Sequence, residues 1–265
     1  MGKKKRDALG DRMKGYENAT KCKLMRRGYT MIRIDGKAFN TYTKGCEAPF
    51  DWGLVNDMDD TAKYLCENIQ GAKCAFVQSD EITIVITDFE NRETSAWFDN
   101  NIQKMVSVSS SMATAKFNQL RMLRTIKPQL AESFNLDSII LEKLKDIRLA
   151  EFDSRVWQVP TRGEAMNNFI WRQQDTVKNS ISSAAQSMYS DKELHGKNGS
   201  DKQEMMFQKG TNWNDFDPKL KRGRMIVKET YKKQPDVFRT RWISEAPPTF
   251  TQDKEYLKNL IPSND

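Results

Sequence analysis

Residues 76–86 read FVQSDEITIVI, two strand-like apolar runs separated by polar and acidic residues. Ala75, Phe76 and Val77 precede Ser79, Asp80 and Glu81, and Ile82, Ile84, Val85 and Ile86 follow them. This density of β-branched and aromatic residues predicts a buried hairpin with arms at about 73–78 and 82–87. A tight hairpin more often turns on Asn-Gly or Asp-Gly. Two adjacent carboxylates at the turn instead put negative charge at one end of whatever sheet the hairpin joins.

The neighbouring segments build the rest of that sheet. GYTMIRIDGKAF (28–39) predicts a strand running into a turn at Asp35-Gly36. Leu54, Val55, Met58, Ala62, Leu65, Cys66 and Ile69 recur at helical spacing. A second helix is predicted from about Trp97 to Leu120, and its small-residue run VSVSSSMATA suits close approach to a sheet, which places it against the hairpin. LAEFDSRVWQVP (149–160) reads as another strand, stopped by Pro160. The order strand, helix, strand, strand, helix, strand is that of an α+β, ferredoxin-like βαββαβ unit, an antiparallel sheet with helices on one face.

Beyond it, Thr161 and Glu164 form a capping-box pattern that opens a helix from 162 to about 189, with Ile170, Val177, Ile181, Ala184, Ala185 and Met188 on one side. Residues 121–148 read as a helix with loops, 190–220 as loops, 221–229 as a basic strand and 230–265 as a polar tail. The expected organisation is a basic arm at 1–12, a catalytic domain at 13–160, and a helical, basic C-terminal extension at 161–265 packed on it.

Composition narrows the chemistry. With one histidine, His195, neither a His-based triad nor a multi-histidine metal site is expected. Cys22, Cys46, Cys66 and Cys74 have no CxxC pairing and read as reduced, mostly packed thiols. The net charge of +7 suits a polyanionic partner without requiring one. No membrane span, signal-peptide core or myristoylation pattern is read, so the expected location is cytoplasmic.

In such a sheet the first strand lies beside the hairpin, so Asp35 and Asp80 could meet at one end. Two aspartates with the Gly36 carbonyl between them are hard oxygen ligands suited to Mg²⁺. Two such ions about 3.5–4 Å apart can clamp the attacking and leaving oxygens of a phosphoryl transfer. From the residues alone, Asp and Gly as ordinary turn formers explain the same pattern equally well.

RIDGKAF at 33–39 followed by QSDE at 78–81, with FDSR at 152–155 and WRQQD at 171–175, resembles the tRNA-histidine guanylyltransferase family. Within it, the chain is most similar to the guanylyltransferase-like proteins that act as 3′-to-5′ RNA polymerases, over residues from about 10 to about 230. The resemblance implies a palm-like catalytic domain using two Mg²⁺ ions held by Asp35, Asp80 and the Gly36 carbonyl, with Glu81 as a supporting acid. It implies that Asp35, Gly36, Lys37, Ala38, Phe39, Asn40, Ser79 and Asp80 line the nucleotide site, and that Lys104 touches a triphosphate. A solvated helix lysine explains Lys104 as well. Asn40 stands where the family often has histidine. Val177, Lys178, Asn179 and Ser180 replace the His-Ile-Asn-Asn run of members dedicated to histidine tRNA.

The implied activity is templated nucleotide addition to tRNA 5′ ends, with ATP or GTP activating the 5′ phosphate and nucleoside triphosphates as substrates. The alternatives are addition of a single G to histidine tRNA, and a non-catalytic RNA-binding module. Family members are commonly homotetramers. Basic clusters at 3–6, at Lys116, Arg121, Arg124 and Lys127, and at 219–224 with 227–233 suit RNA phosphates, although a solvated face explains each. Arg155 and Arg172 suit phosphate contacts or structural ion pairs.

Overall fold

The computed structural model describes residues 7–126, 147–234 and 237–264. One antiparallel sheet organises them, in the order β4-β1-β3-β2-β5-β6. Its strands are β1 (Tyr29–Gly36), β2 (Ala72–Gln78), β3 (Glu81–Ile86), β4 (Phe152–Val159), β5 (Arg224–Gln234) and β6 (Val237–Glu245). The first four carry the βαββαβ connectivity, with α3 (Trp52–Asn68) and α4 (Ile102–Ile126) as its helices. Before these come α1 (Ala8–Ala19) and the single turn α2 (Phe39–Tyr42). α5 (Arg162–Gln186), three short helices α6 (Asp191–Leu194), α7 (Gly199–Gln208) and α8 (Pro218–Arg222), and α9 (Lys254–Leu260) complete the set.

Strand periodicity divides the core in two. Ile32, Ile34, Ala75, Val77, Ile82, Ile84 and Ile86 face Met58, Ala62 and Leu65 of α3 and Met105, Ala113 and Phe117 of α4. Met31, Cys74, Phe76, Val85 and Met225 face Ala165, Met166 and Phe169 of α5, together with Phe250, Leu257 and Ile261. Burial on both faces is why β3 reads as a continuous apolar run instead of alternating. α3 is started by Asp51, whose carboxylate accepts from the Leu54 amide, and α5 by Thr161, whose hydroxyl accepts from Glu164.

Several expectations need correction. α4 packs chiefly on β4 and α3 and shares only the common core with the hairpin: Ser109 Oγ bonds Ser154 Oγ at 2.7 Å, Phe152 N donates to Thr114 Oγ1, and Asn118 spans to Ala150. The crossover from β3 to β4 carries the helix over β1 to that edge, and α3 occupies the hairpin instead. The supposed polar tail holds β6 and α9, because Phe250, Leu257 and Ile261 are needed to close the second core face. Residues 190–220, read as loops, hold three short helices, the last running to Arg222 into the expected strand, and Leu194 and Met206 pack with Ile181, Ala184 and Ala185. α1 begins at Ala8, inside the expected arm, capped by Asp7. The 3–6 cluster and residues 127–146 lie outside the described residues.

β5 joins the sheet through Ala75↔Ile226, Phe76↔Met225 and Val77↔Arg224, so the C-terminal region extends the sheet of the first half. Gly223, at φ +80°, permits this approach: a Cβ there would sit 2.5 Å from the Phe76 ring and 2.9 Å from the Val77 carbonyl. Among the described residues, no helix is long and apolar enough to cross a membrane.

An aromatic cluster sets the loop after β1. The fully buried Phe117 ring lies 5.8 Å from Phe39, 5.8 Å from Tyr42 and 5.3 Å from Phe152. Phe117→Ala is expected to cost about 3–5 kcal/mol in urea unfolding; a loss under about 1 kcal/mol would show that this cluster does not hold the loop.

Candidate active site

Register fixes where the acids fall. β2 ends at Gln78 and β3 begins at Glu81, opposite each other, leaving Ser79 and Asp80 as a two-residue turn. Ser79 adopts φ +44°, the left-handed region that a glycine would normally occupy. Across β1, Asp35 pairs with Glu81 on one side and Asp153 on the other. Directly paired residues project to the same face, so the three carboxyl groups form a row on the face that α5 covers.

Their surroundings differ. Glu81 is buried and accepts from Arg172 Nε at 2.7 Å and Nη2 at 2.6 Å, and from Thr83 Oγ1 at 3.2 Å. Arg172 thus takes the structural ion-pair role, and Glu81, expected as a supporting acid, is neutralised by it. Asp153 lies 3.6 Å from Arg155, and both are largely exposed. Among the described residues, neither Asp35 nor Asp80 has a cationic side-chain partner in an ion pair. Burial pushes the Asp80 carboxyl up to about 6, and the charges of Asp35 and Glu81 push in the same direction, against its own amide and the Ser79 hydroxyl.

Gly36 completes the constellation. A Cβ on it would stand 2.9 Å from Asp80 Oδ2 and overlap the Phe39 ring, so glycine lets the end of β1 touch the hairpin turn. Asp35, Gly36, Ser79 and Asp80 are therefore brought together as the sequence led us to expect. Of the residues that follow, Lys37 is exposed and pairs with Glu151 at 2.5 Å. Ala38 takes φ +51°, ψ +39° to start α2, Phe39 is buried in the aromatic cluster, and Asn40 is exposed.

Asp35, Asn40, Ser79 and Asp80 open into a cleft of about 730 Å³, within the range of small-molecule sites. Its other walls are the 46–51 loop with Leu54 and Val55, a polar row on α5 (Thr176, Asn179, Ser180, Ser183), and Arg172 and Arg224. The sequence reading missed the α5 row and the 46–51 loop. The row recurs at helical spacing opposite the apolar stripe, a signal that was available. Cys46 lines the cleft, but burial and Asp51 raise its thiol, which disfavours a thiolate nucleophile.

Lys104 is not brought to this cleft. The α4–β4 contacts run from Asn118 at Ala150 through Thr114 at Phe152 to Ser109 at Ser154, and Phe152 pairs with Gly36 while Val159 pairs with Tyr29. Continuing that line puts Lys104 towards the Tyr29 end of β1, opposite Asp35. There its ammonium lies 6.0 Å from the Phe98 ring centroid. The basic clusters are partly consumed by the fold as well: Arg121 and Arg124 clamp the buried Asp57, and Lys219 and Arg222 bond Ser244 and Thr249.

The raised Asp80 carboxyl makes a stability prediction. Its folded value of about 6 exceeds an unfolded value of about 3.9, so its charge opposes folding in full above pH about 6 and not at all below about 4. In metal-free buffer, Asp80→Asn is expected to stabilise the chain by about 1–3 kcal/mol at pH 8, a gain that vanishes by about pH 4. Thermal unfolding at the two pH values checks this; an equal gain at both would contradict the burial argument.

Comparison with known proteins agrees with this fold. A bacterial tRNA(His) guanylyltransferase-like protein in complex with ATP superposes with a TM-score of 0.82 at 44% identity, covering 96% of this chain and 99% of that one. One in complex with GTP gives 0.78 at 42% identity, with the same coverage. An uncharacterized protein of Acanthamoeba polyphaga mimivirus is 28% identical over 69% of this chain and 64% of its own length, so the match spans less than two thirds of that protein. The tRNA(His) guanylyltransferase of Debaryomyces hansenii is 25% identical over 76% of this chain and 74% of its own. The sequence model of the tRNAHis guanylyltransferase family matches residues 10–160, more than half of the chain. The chain belongs to the tRNAHis guanylyltransferase family.

Proposed function

We propose that this chain is a Mg²⁺-dependent nucleotidyltransferase that adds nucleotides to the 5′ end of tRNA, following a template base and after activation of the 5′ phosphate by ATP or GTP. The observation that carries this reading is the pair of acids Asp35, at the end of β1, and Asp80, at the hairpin turn, which among the described residues have no cationic side-chain partner and line a nucleotide-sized cleft. The likeness to bacterial relatives solved with ATP and with GTP supports a nucleoside triphosphate as occupant.

The donor set fits hard divalent cations. Among the described residues no group of three or more His, Cys, Asp or Glu side chains could hold a metal ion. Asp35, Asp80 and the Gly36 carbonyl would therefore hold the ions together with the nucleotide's own phosphates. Bound there, two Mg²⁺ ions would stabilise charge on the attacking and leaving oxygens. The protein's part is placement. Glu81 and Arg172 fix the hairpin to α5, and Gly36 allows Asp80 to close on Asp35. The α5 row and the 46–51 loop enclose the nucleotide and limit water. In activation, an oxygen of the RNA 5′ monophosphate attacks the α-phosphorus of ATP or GTP and pyrophosphate leaves. In addition, the 3′-hydroxyl of the incoming nucleotide attacks the activated RNA phosphorus and the nucleoside monophosphate leaves.

Templated addition is favoured over a dedicated histidine-tRNA reaction by Val177. It packs at the cluster of Ile181, Leu194 and Met206, so an apolar contact occupies the place of the dedicated enzymes' histidine. A homotetramer and a cytoplasmic location belong to the same reading.

The test is addition to a 5′-monophosphorylated tRNA lacking its first base, with Mg²⁺ and ATP, using each template base in turn. The added nucleotide is expected to follow the template, and chelation of Mg²⁺ to stop the reaction. Asp35→Ala and Asp80→Ala are each expected to lower both steps by roughly a thousandfold. Addition of G against every template base would support the single-G reading. Activation retained in either variant would contradict the assignment of the two aspartates.

A further inference from the structure

None of the twelve residues of α1 is buried. The side-chain hydrogen bonds at its ends are local: Asp7 caps Gly10, and Thr20 returns to Glu17. A helix of this length is marginal in water, and Gly10 and Gly15 each weaken it further. In proteins such a helix is normally held by packing one apolar face. α1 has that face. Leu9, Met13 and Tyr16 follow one another at spacings of four and three, and they are 60%, 43% and 69% exposed.

The spacing and the flanking charges say what covers this stripe. Leu9, Met13 and Tyr16 fall at d, a and d of a heptad, the seam of a two-stranded coiled coil. Arg12 then falls at g and Glu17 at e, on opposite sides of the seam. When two such helices run parallel, g of one faces the following e of the other. Arg12 therefore meets Glu17 of a second copy, twice by symmetry. An antiparallel pair would set g against g and e against e, where α1 offers no opposite charge. An apolar seam with balanced flanks suits an RNA backbone poorly, whereas the helix is complementary to itself. Three side chains cover far less than the roughly 800 Å² per partner of a standard interface. α1 thus adds to contacts that already hold subunits together, where its effective concentration is high.

We propose that α1 pairs in parallel with α1 of a second copy, across a two-fold axis that runs along the Leu9–Met13–Tyr16 seam. This rests on the homo-oligomer of the proposed function and names one element of its interface.

The experiment takes the mass of the full wild-type chain by light scattering and then tests α1 in two ways. The first is cross-linking with oxidised glutathione, in a Cys22→Ser background because Cys22 is exposed. Met13→Cys lies on the seam and is expected to capture most of the chain as a disulfide-linked dimer on a non-reducing gel. Lys14→Cys lies on the outer face and is expected to capture little. The second is sedimentation equilibrium. Glu17→Arg sets like charges across the seam and is expected to raise the subunit dissociation constant about tenfold, and Arg12→Glu/Glu17→Arg to restore it. No capture at Met13, equal capture at both positions, or an oligomer indifferent to Glu17→Arg would each overturn the pairing of α1 while leaving the oligomer intact. A monomeric wild type would overturn the oligomer and this inference together.

Discussion

Arg172 reaches from the middle of α5 to Glu81 with two hydrogen bonds of 2.7 and 2.6 Å, and both residues are buried. The carboxyl groups of Asp35, Asp80 and Glu81 crowd the end of the sheet, and this contact pairs one of them, Glu81, with a cation. It also ties the β2–β3 turn to the helix that carries the polar wall of the cleft, because Thr176, one turn on, bonds Gln78 at 2.5 Å. Removing one partner of such a pair strands the other charge in the interior, at a cost of about 3–5 kcal/mol. What remains is an acid pair, Asp35 and Asp80, which forms no ion pair with a cationic side chain among the described residues. A chain evolved only for stability would have little reason to keep that arrangement, whereas a cation site requires it.

The rest of the fold makes the arrangement sustainable. Ser79 and Ala38 both stand in left-handed backbone, each at a cost of roughly 1–3 kcal/mol, and both border the site. Strain of this kind persists only where neighbours over-determine it. The hairpin is buried on both faces, between α3 on one side and α5 with the Phe250–Ile261 segment on the other. Phe39 is locked into the aromatic cluster directly after Ala38. Gly36, between these two strained points, is where the lack of a side chain lets β1 meet the turn.

Much of this could be read from the sequence, for definable reasons. β-Branched runs and the Asp35-Gly36 and Ser79–Glu81 turns report local preference, so the first four strands, α3, and the convergence of Asp35, Gly36 and Asp80 were legible. What was not legible depends on contacts distant in sequence. The packing partner of α4 was misread because small residues permit close approach to any sheet strand, and only the crossover decides which. The C-terminal strand and helix looked polar because β6 is largely exposed and α9 contributes few buried residues. Glu81 reads from the sequence as a supporting acid beside Asp80, yet strand alternation turns it to Arg172, ninety-one residues away. Arg224 looked like one member of a basic run, and only its pairing with Asp59 across 165 residues separates it from its neighbours.

The central claim is that the hairpin turn and the end of β1 hold a charge deficit that divalent cations fill. Mn²⁺ titration followed by electron paramagnetic resonance, with a non-hydrolysable GTP analogue present, tests it most directly. The account predicts about two ions per chain for the wild type and loss of both in Asp35→Asn/Asp80→Asn, with the fold retained. Undiminished Mn²⁺ binding in that double variant would contradict it.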